Sequence, residues 1–368
     1  MNDRTRILAA VGATVLLFLG VQLGALALVD PFTESGRQAV ENPEDPTNSI
    51  LYVGVMLVAT GLMLAAFKYD LDRLIRLLLI GVSVMISWYV FAELVPSIVG
   101  PFVSEGVASG LAIAASLAVG GALLWYPEWY VIDGAGVVMG AGAAALFGIS
   151  FGLLPALLLL SVLAIYDAIS VYGTEHMLDL AEGVMDLKIP VVLVVPMTLS
   201  YSYRAAGSTD DVLEDGGTEA ESSETGGDTP GATSGNTTAG DTAGEMTGSD
   251  AAETDDTATA EDDGPAENGA LDRDALFIGL GDAVIPTVLV ASAAAFLDVG
   301  TIDVPLIALN LPALGAALGT IAGLLALMYM VLEGRAHAGL PLLNGGAIGG
   351  YLLGALASGL SIAAAIGL

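Results

Sequence analysis

Long apolar runs separated by short polar turns dominate this chain. A helix rises 1.5 Å per residue, so about 20 apolar residues cross the ~30 Å hydrocarbon core of a bilayer. Nine runs are candidates: Ile7–Val29, Ile50–Phe67, Leu77–Val95, Gly106–Tyr126, Trp129–Phe147, Phe151–Tyr172, Ala275–Leu297, Val304–Leu332 and Leu340–Leu368. Glycine and alanine are frequent in the later runs, as expected where helices pack backbone to backbone in lipid. The pattern predicts an all-α polytopic membrane protein with nine transmembrane helices. The first run resembles a secretory signal, with Arg4 and Arg6 before it and the small-residue stretch Ala25-Leu26-Ala27 inside it. Its 23 uncharged residues exceed the roughly 7–15 of a signal core, so an uncleaved anchor is expected.

Two stretches after the sixth run do not span. Glu175–Lys188 has apolar Met177, Leu178, Ala181, Val184 and Met185 against acidic Glu175, Asp179, Glu182 and Asp186, a helical period with a solvated acidic face. Ile189–Leu199 is β-branched and too short to cross as a helix, which predicts a strand or a bent interfacial segment. Between residues 207 and 272 come 19 acids, no base, and mostly Gly, Thr, Ser and Ala, a composition with little to bury. The expected organisation is therefore an N-terminal membrane part (1–204), a disordered acidic loop (205–272) and a C-terminal membrane part (273–368).

That loop explains a formal net charge of −31 on a chain that is 55% apolar. Outside it the remaining 22 acids and 10 bases leave only −12 (22 minus 10). Dense carboxylates suit a salt-rich cytoplasm, and no basic patch exists to bind nucleic acid. The bases orient the array. Arg4, Arg6, Lys68, Arg73, Arg76, Lys188, Arg204, Arg273 and Arg335 fall on one side and only Arg37 on the other. By the positive-inside rule the N-terminus and the acidic loop are cytoplasmic and the C-terminus is outside. Trp125, Tyr126, Trp129 and Tyr130 crowd one turn, which suits an interfacial aromatic belt.

Acids inside apolar spans are costly and mark either function or a paired structural site. Glu93, Glu105 and Asp133 lie near span ends, where a carboxylate reaches water or headgroups. Asp167 and Asp282 differ. Asp167 lies five residues before Tyr172 and Asp282 seven after Ala275, on consecutive spans that flank the acidic loop. Both then sit roughly 8–11 Å below the same surface. Two facing carboxyls cannot both ionise cheaply, so such a pair shares a proton. Its ionised member can take a proton from an attacking water while the other donates to a peptide carbonyl, which is aspartyl proteolysis without a metal or a nucleophilic side chain.

The flanking residues sharpen this. Asp282 ends Gly279-Leu280-Gly281-Asp282 and Asp167 follows Tyr166. Together, on consecutive spans around a cytoplasmic loop, these strings resemble the presenilin and signal peptide peptidase family of intramembrane aspartyl proteases, with an archaeal member expected. The resemblance covers all nine spans in number and order. It implies that Asp167 and Asp282 are the catalytic pair, that Tyr166 supports the first, and that Gly279 and Gly281 permit substrate approach beside the second. It implies no cofactor, and substrates that are membrane proteins or signal peptides. The family's Pro-Ala-Leu motif opens the last span; its positional match here is Pro341-Leu342-Leu343, with leucine in the middle. A literal copy, Pro312-Ala313-Leu314, lies in span eight toward the outer side and is read as a decoy. The resemblance further implies that extended substrate docks by strand addition, and by its composition and position Ile189–Leu199 is the expected docking strand.

Other chemistries are poorly supplied. There is no cysteine, which excludes disulfides and thiolate catalysis. The only histidines, His176 and His337, form no HExxH zinc motif and no Ser/His pair within the spans. Two rivals stay open at this level: a proton- or cation-coupled transporter using Asp167 and Asp282 as relay or ion site, and a membrane scaffold whose acidic loop recruits partners.

Overall fold

The computed structural model describes residues 3–69, 71–173, 192–197, 201–202, 275–332 and 338–367. The amphipathic stretch Glu175–Lys188, the acidic segment 205–272 and both histidines lie outside the described residues. In chain order the elements are α1 (Asp3–Glu34), α2 (Thr47–Lys68), α3 (Asp72–Val99), α4 (Glu105–Trp125), α5 (Trp129–Ser150), α6 (Leu153–Gly173), β1 (Val192–Pro196), β2 (Ala275–Gly279), α7 (Leu280–Phe296), α8 (Leu311–Leu332), α9 (Gly339–Ala357) and the short α10 (Ile362–Ala365). Seven of them, α1, α3, α4, α5, α6, α8 and α9, are long and apolar enough to cross a membrane, while α2 and α7 carry shorter apolar stretches, Thr47–Met63 and Leu280–Phe296.

The distribution of side chains fits lipid as the solvent. Leu8, Leu16, Ile50, Leu62, Ile165 and Leu353 point outward, each between 62% and 73% exposed. An aqueous surface with that much contiguous apolar area would aggregate. Inside, small and polar residues are buried instead, among them Ser87, Ser116, Thr287, Ser292, Thr320 and Asn344. Helices associate in lipid by close backbone packing and by hydrogen bonds rather than by hydrophobic gain. The chain is a multi-pass membrane protein.

Three boundaries differ from the apolar runs, each for a local reason. The eighth run begins at Val304, but α8 starts at Leu311 because Asn310 caps it: its Oδ1 accepts from the Ala313 N–H, and its Nδ2 donates to the Ala293 and Leu297 carbonyls. The ninth run continues to Leu368, but α9 ends at Ala357, and Gly359 turns the chain at φ +86°, a conformation glycine adopts without strain. Beyond it α10 folds back, held by the Tyr351 hydroxyl donating to the Ala365 carbonyl. The seventh run divides, its first five residues forming β2 and the rest α7. An apolar run of that length reads equally as strand or helix until a partner is present.

The partner is β1, which lies inside the predicted strand-like segment Ile189–Leu199. The two strands pair antiparallel in the register Val192↔Gly279, Leu193↔Ile278, Val194↔Phe277, Val195↔Leu276 and Pro196↔Ala275. This sheet is buried between two apolar clusters. Leu193, Val195 and Leu276 join Phe18, Val21, Leu324 and Leu343 on one side. Val194 and Ala275 join Ile75, Leu123, Ile132 and Ala135 on the other.

At the centre, α7 packs against α1, α5, α6, α8 and α9. Every residue from Pro286 to Ala293 is buried, so this helix is enclosed all round. Helices α8 and α9 meet along a glycine seam, Gly315, Gly319 and Gly323 facing Gly346, Gly350 and Gly354. Arg37 is paired, its Nη2 lying 2.7 Å from Glu93 Oε1 and its guanidinium 4.8 Å from the Tyr89 ring centroid. Glu105 is exposed on the first turn of α4, as a span-end acid should be. Asp133 departs from that expectation, being buried inside the bundle rather than reaching water.

Candidate active site

The first turn of α9 is where the two singled-out aspartates come together. A helix leaves its first four N–H groups without intrahelical partners. One of these, on Leu340, donates to Asp167 Oδ2 at 3.1 Å, so a side chain on α6 caps the start of α9. Its neighbour Gly339 faces Asp282: a Cβ built there would stand 3.7 Å from Asp282 Oδ2 and 3.4 Å from Leu327 Cδ2. The carboxyls of Asp167 and Asp282 thus approach adjacent residues of one turn. Asp167 is buried and Asp282 half-buried.

Each aspartate is held by its own element. Asp282 is the third residue of α7, directly after β2, so the sheet delivers it to the site. Four residues on, Pro286 has no N–H to return to the Asp282 carbonyl, which loosens the first turn of α7. Asp167 lies near the end of α6. Two turns earlier on that helix, the Leu160 carbonyl accepts from Asn344 Nδ2 at 2.9 Å. Helices α6 and α9 are therefore tied at two levels, Leu340 to Asp167 and Asn344 to Leu160.

The other sequence candidates divide. Gly279 caps α7 and Gly281 opens it, and both are exposed. A Cβ on Gly279 would meet Asp282 Oδ2 at 3.5 Å, and one on Gly281 only Ile285 Cδ1 at 3.8 Å, so neither glycine is crowded by other elements. Tyr166 is 48% exposed, on the surface of α6 rather than enclosed with its neighbour. Pro341 occupies the third position of α9, where a missing N–H costs no helical hydrogen bond. Leu342 is half-buried, with its backbone carbonyl packed close to Gly323 of α8, while Leu343 is fully buried. The literal Pro312-Ala313-Leu314 copy opens α8 and packs on Gly354 of α9. That contact is about 22 Å along the helix from Gly339, at 1.5 Å per residue.

Gly339 is the residue that the sequence reading missed. Its signal was faint, a glycine two places before the Pro341 motif. Gly339→Ala should keep cleavage within about threefold of wild type, because its methyl meets only ordinary van der Waals contacts. Gly339→Val should lower kcat/KM at least about tenfold, since extra carbons would enter the space beside Asp282. Steady-state cleavage of a reconstituted substrate reads the difference.

Among the described residues no group of three or more His, Cys, Asp or Glu side chains could hold an ion. Comparison with known proteins speaks to the chemistry directly. The family model described as signal-peptide peptidase, presenilin aspartyl protease matches residues 15–360. A solved presenilin family intramembrane aspartate protease in space group C222 is 29% identical, with a TM-score of 0.56 over 94% of this chain and 99% of that one. The corresponding P2 structure gives 29% identity and a TM-score of 0.55 over 94% of this chain and 97% of the other. No curated protein matches the chain. With a family match over nearly its whole length and full-length likeness to solved members, the chain belongs to the signal-peptide peptidase and presenilin family and is an intramembrane aspartyl protease.

Proposed function

We propose that Asp167 and Asp282 are the catalytic pair, cutting peptide bonds in the transmembrane segments of other proteins with water activated between them. The observation that carries this assignment is the convergence of both carboxyls, from separate helices, on residues 339 and 340. One carboxylate accepts a proton from water as the water oxygen attacks the peptide carbonyl carbon. The other, protonated, donates to the carbonyl oxygen and leaves a gem-diol. On collapse, the first carboxyl protonates the departing nitrogen as the C–N bond breaks, and the second takes a proton from the gem-diol hydroxyl. The pair ends with the single shared proton it began with.

Around this pair, Tyr166 supports Asp167, Gly279 and Gly281 leave room for substrate, and Pro341-Leu342-Leu343 packs α9 against the site. The half-buried state of Leu342 supports a leucine at that position, because its bulk is not enclosed. Nine segments cross the bilayer in this proposal, the seven long helices together with α2 and the β2–α7 unit. At 1.5 Å per helical and 3.3 Å per extended residue, that unit reaches about 40 Å, more than a hydrocarbon core requires. The N-terminus and the acidic connector 205–272 face the cytoplasm and the C-terminus faces outside, in line with the placement of the bases.

Substrate is proposed to lie extended beside the β1–β2 pair, since a helix hides its scissile bond while strand pairing exposes it. Val192→Pro, which removes a backbone donor from β1 while leaving the Val194 N–H in place, should slow cleavage about tenfold while leaving expression intact. The catalytic assignment itself is tested with purified protein reconstituted alongside a tagged single-span substrate, comparing wild type with Asp167→Asn and Asp282→Asn. Product from wild type alone supports it. Product from either variant at a comparable rate removes that residue from the pair.

A further inference from the structure

Asp133 is a buried acid that the proposed chemistry does not use, and its partner is specific. Asp133 sits in the second turn of α5, and its Oδ1 accepts the Val194 N–H at 2.7 Å, at the middle of β1. Because Val194 donates to α5, its backbone faces the edge of β1 turned away from β2. Backbone groups of alternate residues in an antiparallel strand face one edge, so Val192 and Pro196 share that side. Pro196 brings no N–H. The outer edge of β1 is thus committed to Asp133 at its centre and lacks a donor at its end.

The need for such a contact follows from the strand's composition. A register is specified by hydrophobic pattern when one face is apolar and the other polar, because a one-residue slip exchanges the faces. In β1 this safeguard is missing. Leu193 and Val195 are buried on one face and Val194 on the other, all at 1% exposure or less. Slipping Val192-Leu193-Val194-Val195 by one residue exchanges aliphatic for aliphatic. A hydrogen bond to one particular N–H does distinguish the registers. Glu128, five residues before Asp133, holds the chain beyond the strand as well, accepting from the Ser202 hydroxyl at 2.8 Å.

We infer that Asp133 is a positioning residue that pins the register of the β1–β2 sheet to α5, and through β2 fixes which substrate bond is presented to Asp282. The second half of this inference rests on the proposed assignment of Asp282 and on substrate lying along the sheet. The first half stands without it. Only two residues separate the end of β2 at Gly279 from Asp282, so a shift of the sheet along α5 moves the start of α7 with it.

The chain has no native cysteine, so register can be read by oxidative cross-linking of the full-length protein in membranes. Val194 and Phe277 are direct partners on a pair that does not exchange backbone hydrogen bonds, where Cα atoms stand about 4.5 Å apart and a disulfide can close. Val194→Cys/Phe277→Cys reports the native register, and Val194→Cys/Leu276→Cys reports a one-residue slip. Asp133→Asn keeps an acceptor oxygen and should retain the native cross-link and the wild-type cleavage positions. Asp133→Ala should lose most of the native cross-link, gain the slipped one, and spread the cleavage sites seen by mass spectrometry of the products. Should Asp133→Ala fail to accumulate, Asp133→Glu carries the test, because its longer stem displaces the acceptor while conserving the acid. The inference is overturned if Asp133→Ala, or Asp133→Glu in its place, leaves both the native cross-link and the cleavage positions unchanged, however slow the enzyme becomes. Full activity in Asp282→Asn would instead sink the active-site assignment, and the cross-linking result would be unaffected by it.

Discussion

Asp167→Asn and Asp282→Asn should each abolish measurable proteolysis, a loss of about 10³-fold or more, while the protein still folds. A positioned acid or base contributes roughly 10²–10⁴-fold. Each aspartate is proposed to act as both acid and base within one turnover, so removing either disables both proton transfers. The two losses should therefore not add. Asp167→Asn/Asp282→Asn together should be no slower than either alone, as expected of residues that act as a unit. Asparagine is the informative substitution at 167, because its carbonyl oxygen can still accept the Leu340 N–H. Alanine there leaves that N–H without its partner, at a cost of about 1 kcal/mol, and confuses loss of chemistry with a loosened α9. At 282 the two substitutions should behave alike. Single-turnover cleavage of a tagged single-span substrate, beside thermal unfolding of each variant, separates the effects. A variant that retains a tenth of wild-type cleavage would contradict its role.

The second large effect should come from residues that never touch substrate. A Cβ on Gly319 would stand 3.0 Å from Gly350 Cα and 2.8 Å from the Gly346 carbonyl carbon. These neighbours are backbone and cannot rotate aside, unlike a side chain in an ordinary overpacked core, where the cost is about 1–3 kcal/mol. Gly319→Val and Gly350→Val should therefore cost about 3 kcal/mol or more by forcing α8 and α9 apart. Activity should fall further than stability alone explains, because α9 carries Leu340 to Asp167 and Gly339 to Asp282. The same helix supplies its own control. Gly345 and Gly349 lie on α9 with nothing within 4 Å of an added Cβ. Gly345→Val and Gly349→Val should leave both unfolding temperature and cleavage close to wild type. Equal sensitivity at Gly319 and Gly349 would show that loss of glycine flexibility, not the seam, sets the cost.

The seam also bears on how α9 meets its neighbours with leucine where the family motif has alanine. Contact between α9 and α8 at that level runs through the Leu342 carbonyl and Gly323, that is, through backbone. The side chain at 342 is left half-buried, so its size is not what sets the approach of the two helices.

Much of this protein was determined by sequence alone. Lipid accepts only chain segments whose backbone groups are paired internally, so an apolar run of sufficient length becomes a helix in almost any context. For that reason the helices could be read from runs of residues, and the two aspartates stood out because intramembrane acids are expensive. Their motifs and their spacing about the acidic segment were enough to identify the family. The tertiary structure decided what depends on a partner distant in the chain. Ala275–Gly279 became a strand only because Val192–Pro196 lay beside it. Asp133 changed from a span-end acid to the holder of that strand because packing brought Val194 to it, 61 residues away. Gly339 entered the site because α9 begins between two aspartates from other helices. Local sequence governs whether a segment is helical. The position of one carboxyl relative to another is set by how whole helices pack, and no single run of residues contains that.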